Sequence, residues 1–140
     1  MHRGRAFAAG VIGALAMSVL MAGLRSLGIP LHIELRLAGI LGSGSWIVGL
    51  IAHLLIGGLV GLVYMLVFEF VFAQSGIPAG VLVGAINTLL AGFIWAAFDG
   101  PGHFWTSFGP LGIMSLFMVH MLYGAVVGGL YKNEHVYVYD

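Results

Sequence analysis

Long apolar runs alternate with short polar breaks along the whole chain. Residues 6–27, 46–72, 79–98 and 111–131 are almost free of charge, and each reaches the ~20 residues an α-helix needs to cross a bilayer. The second run is the longest of the four, so its helix tilts or protrudes. Gly28 and Pro30 end the first run, as helix-stopping residues do. Between the first two runs, residues 31–37 alternate apolar and polar positions. A period of two suits a strand, but an unpaired strand edge is costly beside lipid. The pattern therefore predicts a short interfacial helix with its charges toward water. Gly42-Ser43-Gly44-Ser45 forms a flexible joint, and Trp46, Trp95 and Trp105 sit where interface anchors belong. Gln74 to Pro78 is a tight turn, and Pro110 suits the start of the fourth helix.

One pattern occurs twice. His53-x3-Gly57-x3-Gly61-x2-Tyr64 returns in the second half of the chain as His120-x3-Gly124-x3-Gly128-x2-Tyr131. Steps of four, four and three positions bring all four members onto one face of a helix. The first and third runs echo each other too: Gly13-Ala14 and Ala22-Gly23 against Gly84-Ala85 and Ala91-Gly92. The expected fold is an all-α membrane protein of four transmembrane helices. It is one domain, residues 1–140, built from hairpins 6–72 and 79–131 with a polar tail, 132–140. Each hairpin crosses the bilayer an even number of times. Both copies then share one orientation, about a pseudo-twofold axis along the membrane normal.

Composition agrees with lipid as the main solvent. Apolar residues make up 61% and charged residues 7%, against roughly 25% charged in soluble domains. Five basic residues balance five acidic ones, so no basic footprint for nucleic acid exists. Cysteine is absent, which excludes disulfides and thiolate chemistry by this chain. The N-terminus superficially resembles a signal peptide, but the run behind it is long for one and carries packing residues. It reads as a retained first span. Small residues there form rows four apart, Ala9-Gly13-Met17 and Gly10-Ala14-Ser18, which let a neighbouring helix approach closely. Arg3, Arg5 and Lys132 lie on one side of the membrane and Arg25 and Arg36 on the other. That balance favours cytoplasmic termini in the cytoplasmic (inner) membrane. Arg25 itself is placed to snorkel to the interface.

The candidate chemistry rests on His53 and His120. They lie about 10 Å and about 14 Å into their helices, at similar depth, and intramembrane ionisable groups point to function. Together they can ligate a b-type haem, with Gly57 and Gly124 leaving room for the macrocycle, or contact a quinone. The alternative is structural: His53 bonds Asn87, Thr88 or a carbonyl, and Gly57, Gly61, Gly124, Gly128, Gly80 and Gly84 form close-packing seams. Copper is the weaker cofactor candidate. Met114, Met118 and Met121 form a stripe beside His120, and Met17 and Met21 another pair, although methionine also fills apolar cores. His32, Glu34, Asp99 and His103 read as solvated loop residues rather than a polar entrance. Glu69 is about 24 Å along the helix from His53 and reaches for water or Lys132. No phosphate-binding loop, H-E-x-x-H or Ser-His-Asp context is present, so no catalytic residue is assigned and an enzyme is the less favoured reading.

The histidine motifs, Gly10-Val11-Ile12-Gly13-Ala14 with Met17-Ser18, the third-run glycines and Pro101-Gly102 together resemble a family of small bacterial and archaeal integral membrane proteins of unestablished function. The resemblance covers roughly residues 9–131; it implies four spans and supplies no activity. Three roles stay open. The chain is a non-enzymatic subunit that packs through its small-residue seams against itself or a larger membrane complex, a redox complex among the candidates. Or it is an electron-transfer protein with haem b or quinone at His53 and His120. Or it is a small copper or proton transporter, which with four spans would require a homo-oligomer.

Overall fold

The computed structural model describes residues 2–100 and 103–131. Those residues form helices α1 (Arg3–Ser26), α2 (Ile33–Ile40), α3 (Trp46–Phe70), α4 (Ile77–Asp99) and α5 (His103–Leu130), with no strand among them. All but α2 carry stretches long and apolar enough to cross a membrane. The reason is the one that lipid imposes: only a helix satisfies every backbone group within its own segment. The expected all-α fold with four spans is thus the observed one.

Local chemistry sets the ends of the elements. Gly28 takes φ 86°; its N–H bonds Arg25 O while Ile29 N–H bonds Leu24 O, the paired closure that a left-handed glycine permits. Gly42 repeats it at φ 71°, with Gly42 N–H on Gly39 O and Ser43 N–H on Ala38 O. The expected loose joint therefore begins as a defined helix stop. At Gly109 (φ 61°, ψ 177°) α5 breaks, and Pro110 opens its long membrane segment.

α2 is the short helix the alternating stretch predicts, but its charges do not all face water. Glu34 is only 1% exposed. Its Oε2 lies 3.0 Å from Arg25 Nη1, which also donates to Leu31 O at 2.7 Å. Arg25 does not snorkel outward; it turns in, because a buried carboxylate needs a counter-charge. Glu34 also touches α3 by its backbone, since a Cβ on Gly49 would overlap the Glu34 carbonyl.

α1 packs against both α3 and α5, α4 packs along α5, and α2 lies on α3. Two glycine seams hold the hairpins. A Cβ on Gly10 would strike the Gly57 carbonyl, and one on Gly61 the Ala6 carbonyl. In the second hairpin a Cβ on Gly80 would strike Gly124 O, and one on Gly128 would strike Gly76 O. Gly84 meets the His120 backbone likewise. With lipid outside, dispersion and close backbone approach hold such helices together. α3 and α5 meet mainly through long side chains. Tyr64 and Tyr123 pack edge to face at 5.3 Å, Phe68 stacks on Tyr131 at 6.3 Å, and the Tyr123 hydroxyl donates to Gly57 O at 2.5 Å. α1 fills the gap between their backbones, with Gly13 against the Tyr123 ring.

Candidate functional site

α3 and α4 scarcely touch. Between them lies a cleft of about 380 Å³, walled by Ile56 and Val60 of α3 and by Asn87, Ala91 and Ile94 of α4. Its floor is Ala14 and Met17 of α1 with Leu116, His120 and Tyr123 of α5, and Ile33 and Leu37 of α2 close one end. Its rim is apolar and exposed at Ile40, Leu41, Ile56, Ile94 and Phe98. For a chain surrounded by lipid, such a mouth opens sideways into the acyl region. Arg36 of α2 reaches over the rim, 4.9 Å from the Trp95 ring centroid and 5.8 Å from that of Phe108. That places a cation over aromatic faces and ties α2 to α4 and α5.

Both motif histidines line this one cleft, although they come from helices whose backbones stay apart. His53 is buried, and its Nδ1 lies 2.9 Å from Ser18 Oγ on α1. His120 is half-buried, with Nδ1 2.8 Å from Leu116 O of its own helix. A carbonyl only accepts, so His120 Nδ1 carries the proton. Each ring is thus held by one nitrogen, and among the described residues nothing engages either Nε2. The remaining polar side chains on the walls are Asn87, the Trp95 indole and the Tyr123 hydroxyl already bonded to Gly57 O. No lysine or arginine lines the cleft among the described residues.

The other candidate residues are arranged around it. Gly57 is at the cleft wall, but its missing side chain makes room for the Ala14 methyl group, not for a ligand. Gly124 is away from the cleft, in the seam with Gly80, as Gly61, Gly128 and Gly84 are in theirs. Thr88 donates to Gly84 O within its own helix, at 3.2 Å, rather than to His53. The methionine stripe turns outward: Met114 is 68% and Met118 44% exposed, and neither these nor Met121 lines the cleft. Met17 does line it, while Met21 is core. No group of three or more His, Asp or Glu side chains among the described residues is placed to hold a metal ion.

His32 is exposed, as expected, and Glu34 is buried against expectation. The side chains of Asp99 and His103, and Lys132, lie outside the described residues. At the far end of α3, Glu69 accepts a short hydrogen bond from the Tyr131 hydroxyl. Sequence reasoning missed Ser18 as the partner of His53: it stood in a row of small packing residues, and its hydroxyl was the available signal. Tyr123 falls at an unspecified position of the repeated motif, between His120 and Gly124, so the repeat did not single it out. Comparison with protein-family models, curated proteins and solved structures gives no match.

Proposed function

We propose that this four-span helical bundle is a membrane-embedded binding protein whose lateral cleft holds a quinone-type redox lipid, with His53 and His120 at the ligand's polar ring. The observation that carries this reading is the shared cleft: two histidines from the two motif copies, each with an Nε2 that no described residue engages, in one apolar slot with an exposed apolar rim. Ligand sites are mostly apolar with a few placed polar groups, in cavities of roughly 300–1,000 Å³. A quinone is neutral and needs no counter-charge on the walls, and its tail can leave through the mouth between α3 and α4.

One observation favours haem b at the same place. Iron-ligating histidines characteristically donate the second ring N–H in a hydrogen bond, as His120 does to Leu116 O. Against it, among the described residues the two haem carboxylates would find no Lys or Arg on the walls, with Arg36 near the rim. The copper reading loses Met114 and Met118 to the outer face and Met21 to the core, which leaves Met17 alone on the cleft. The glycine seams are consumed within the hairpins, so a role in a larger complex would rest on other faces than those seams. The proposal includes pseudo-twofold related hairpins, cytoplasmic termini in the inner membrane, and the kinship with small four-span bacterial and archaeal proteins that the motifs suggest.

The test is to purify the protein gently from its own host, extract bound lipids and quantify quinone by mass spectrometry, alongside an oxidised-minus-reduced visible spectrum. Near-stoichiometric quinone that falls to background in an Ala91→Trp variant supports the proposal. Background quinone in the wild type defeats it. A Soret band lost on His53→Ala or His120→Ala would assign the cleft to haem b instead.

A further inference from the structure

The two imidazoles line one cleft but carry their protons on different nitrogens. His120 Nδ1 donates to the Leu116 carbonyl at 2.8 Å. Among apolar walls, with no carboxylate bonded to it, the ring is neutral, because an uncompensated charge there is expensive. A neutral imidazole has one N–H, so His120 Nε2 is a bare acceptor. His53 is the reverse. The Ser18 hydroxyl has no acceptor among the described residues except His53 Nδ1, at 2.9 Å. Ser18 therefore donates, and the proton of His53 lies on Nε2 as a donor. Asn87 offers both an N–H and a carbonyl and suits either kind of ligand.

A ring carbonyl meets only half of this pair: it accepts from His53 and leaves the His120 lone pair unmet. Ligand hydroxyls can meet both, accepting from His53 and donating to His120. We infer that the cleft is built for the hydroxyl-bearing, reduced form of its ring ligand, with His120 Nε2 accepting the ligand's O–H. This rests on the cleft being a ring-binding site as proposed above. It adds which oxidation state is held: hydroquinone over quinone. The physical basis is the asymmetry of hydrogen bonding, in which a buried polar atom left without a partner costs more than a made bond gains.

The experiment compares three probes of one shape on the full chain in lipid nanodiscs, stripped of native ligand. They are a short-tailed benzoquinone, its hydroquinone under anaerobic reducing conditions, and the dimethyl ether of that hydroquinone, which accepts hydrogen bonds but cannot donate. The hydroquinone is expected to bind about tenfold tighter than the quinone, with the ether no tighter than the quinone. His120→Gln, whose amide can donate or accept, is expected to bring the ratio to about one. Equal binding of quinone and hydroquinone, blocked by Ala91→Trp, would overturn the selectivity and leave the cleft reading standing. No binding of any probe would overturn both. An ether that binds as tightly as the hydroquinone also overturns the inference, and that wild-type comparison decides it even if His120→Gln does not fold.

Discussion

The two sides of α3 are built from opposite rules. Toward α1 it presents Gly57 and Gly61, and the helices close until backbone meets backbone. Toward α4 it presents His53, Ile56 and Val60, and the helices stay apart around a cleft. α5 does the same with Gly124 and Gly128 toward α4 and His120 toward the cleft. In water, two apolar faces would be driven together; in lipid, that force is missing, and helices close only where small residues or polar contacts reward it. A cleft between large apolar side chains is therefore stable in a membrane. The same motif supplies both the clasp and the open face, because its glycines and its histidine need only slightly different directions around one helix.

The sharpest way to break this comparison is to add equal bulk on each side. Gly80→Leu would drive a side chain into the Gly124 carbonyl. Overpacking costs about 1–3 kcal/mol or more even where side chains can give way; here backbone must move, and we expect loss of the folded, monodisperse species on size exclusion. Ala91→Trp, in the cleft, should change thermal stability by no more than about 1 kcal/mol. Gly23→Leu is the control, since nothing lies within 4 Å of a Cβ there. Equal damage from Gly80→Leu and Ala91→Trp would mean that the cleft is as tightly packed as the seam.

The next effect concerns what holds the closed end of the cleft. Arg25→Gln leaves Glu34, 1% exposed, without its counter-charge, and breaking a buried pair in this way costs about 3–5 kcal/mol. The double variant Arg25→Gln with Glu34→Gln should recover most of that, because the buried charge goes with its partner. Arg36→Gln removes the cation over Trp95 and Phe108, a contact worth about 0.5–2 kcal/mol. Denaturant titration in detergent measures all three; an Arg25→Gln loss no larger than that of Arg36→Gln would show that Glu34 is reached by water.

How much of this was legible beforehand depends on the range of each interaction. Span length and apolarity are local, so the four crossings and the short α2 followed from the residues themselves. The seam glycines were legible as a face, but not their mates: that Gly57 closes on Gly10 and Gly124 on Gly80 is a tertiary fact. Glu34 misled because alternation around it looked water-facing, and its burial depends on Arg25, nine positions back. Ser18 and His53, far apart in the chain, carried no shared signal beyond one hydroxyl and one imidazole. The cleft was the least legible feature of all. It is a missing contact between α3 and α4, and neither helix alone records what it fails to touch.

Ser18→Ala tests the smaller interactions on the cleft side. It removes the hydroxyl that donates to His53 Nδ1, at a cost of about 1–3 kcal/mol if the nitrogen stays buried and unpaired. The free ring can then change tautomer, so this variant should also weaken any hydroquinone preference.

The smallest expected effect is at the other end of the bundle, where Tyr131 donates to Glu69. Unlike Glu34, Glu69 is only half-buried and sits at the end of α3, where water can replace a lost partner. Polar contacts between membrane helices average ~0.6 kcal/mol for this reason. Tyr131→Phe should therefore cost about that much, with the ring stacking on Phe68 intact. A double-mutant cycle with Glu69→Gln isolates the hydrogen bond from the packing. A coupling close to that average would keep the two ends of the bundle unlike, one closed by a desolvated ion pair and one by a solvated contact. A coupling above about 2 kcal/mol, in the upper part of the range for residues in direct contact, would make Tyr131–Glu69 a second buried clasp, and the contrast between the ends would go.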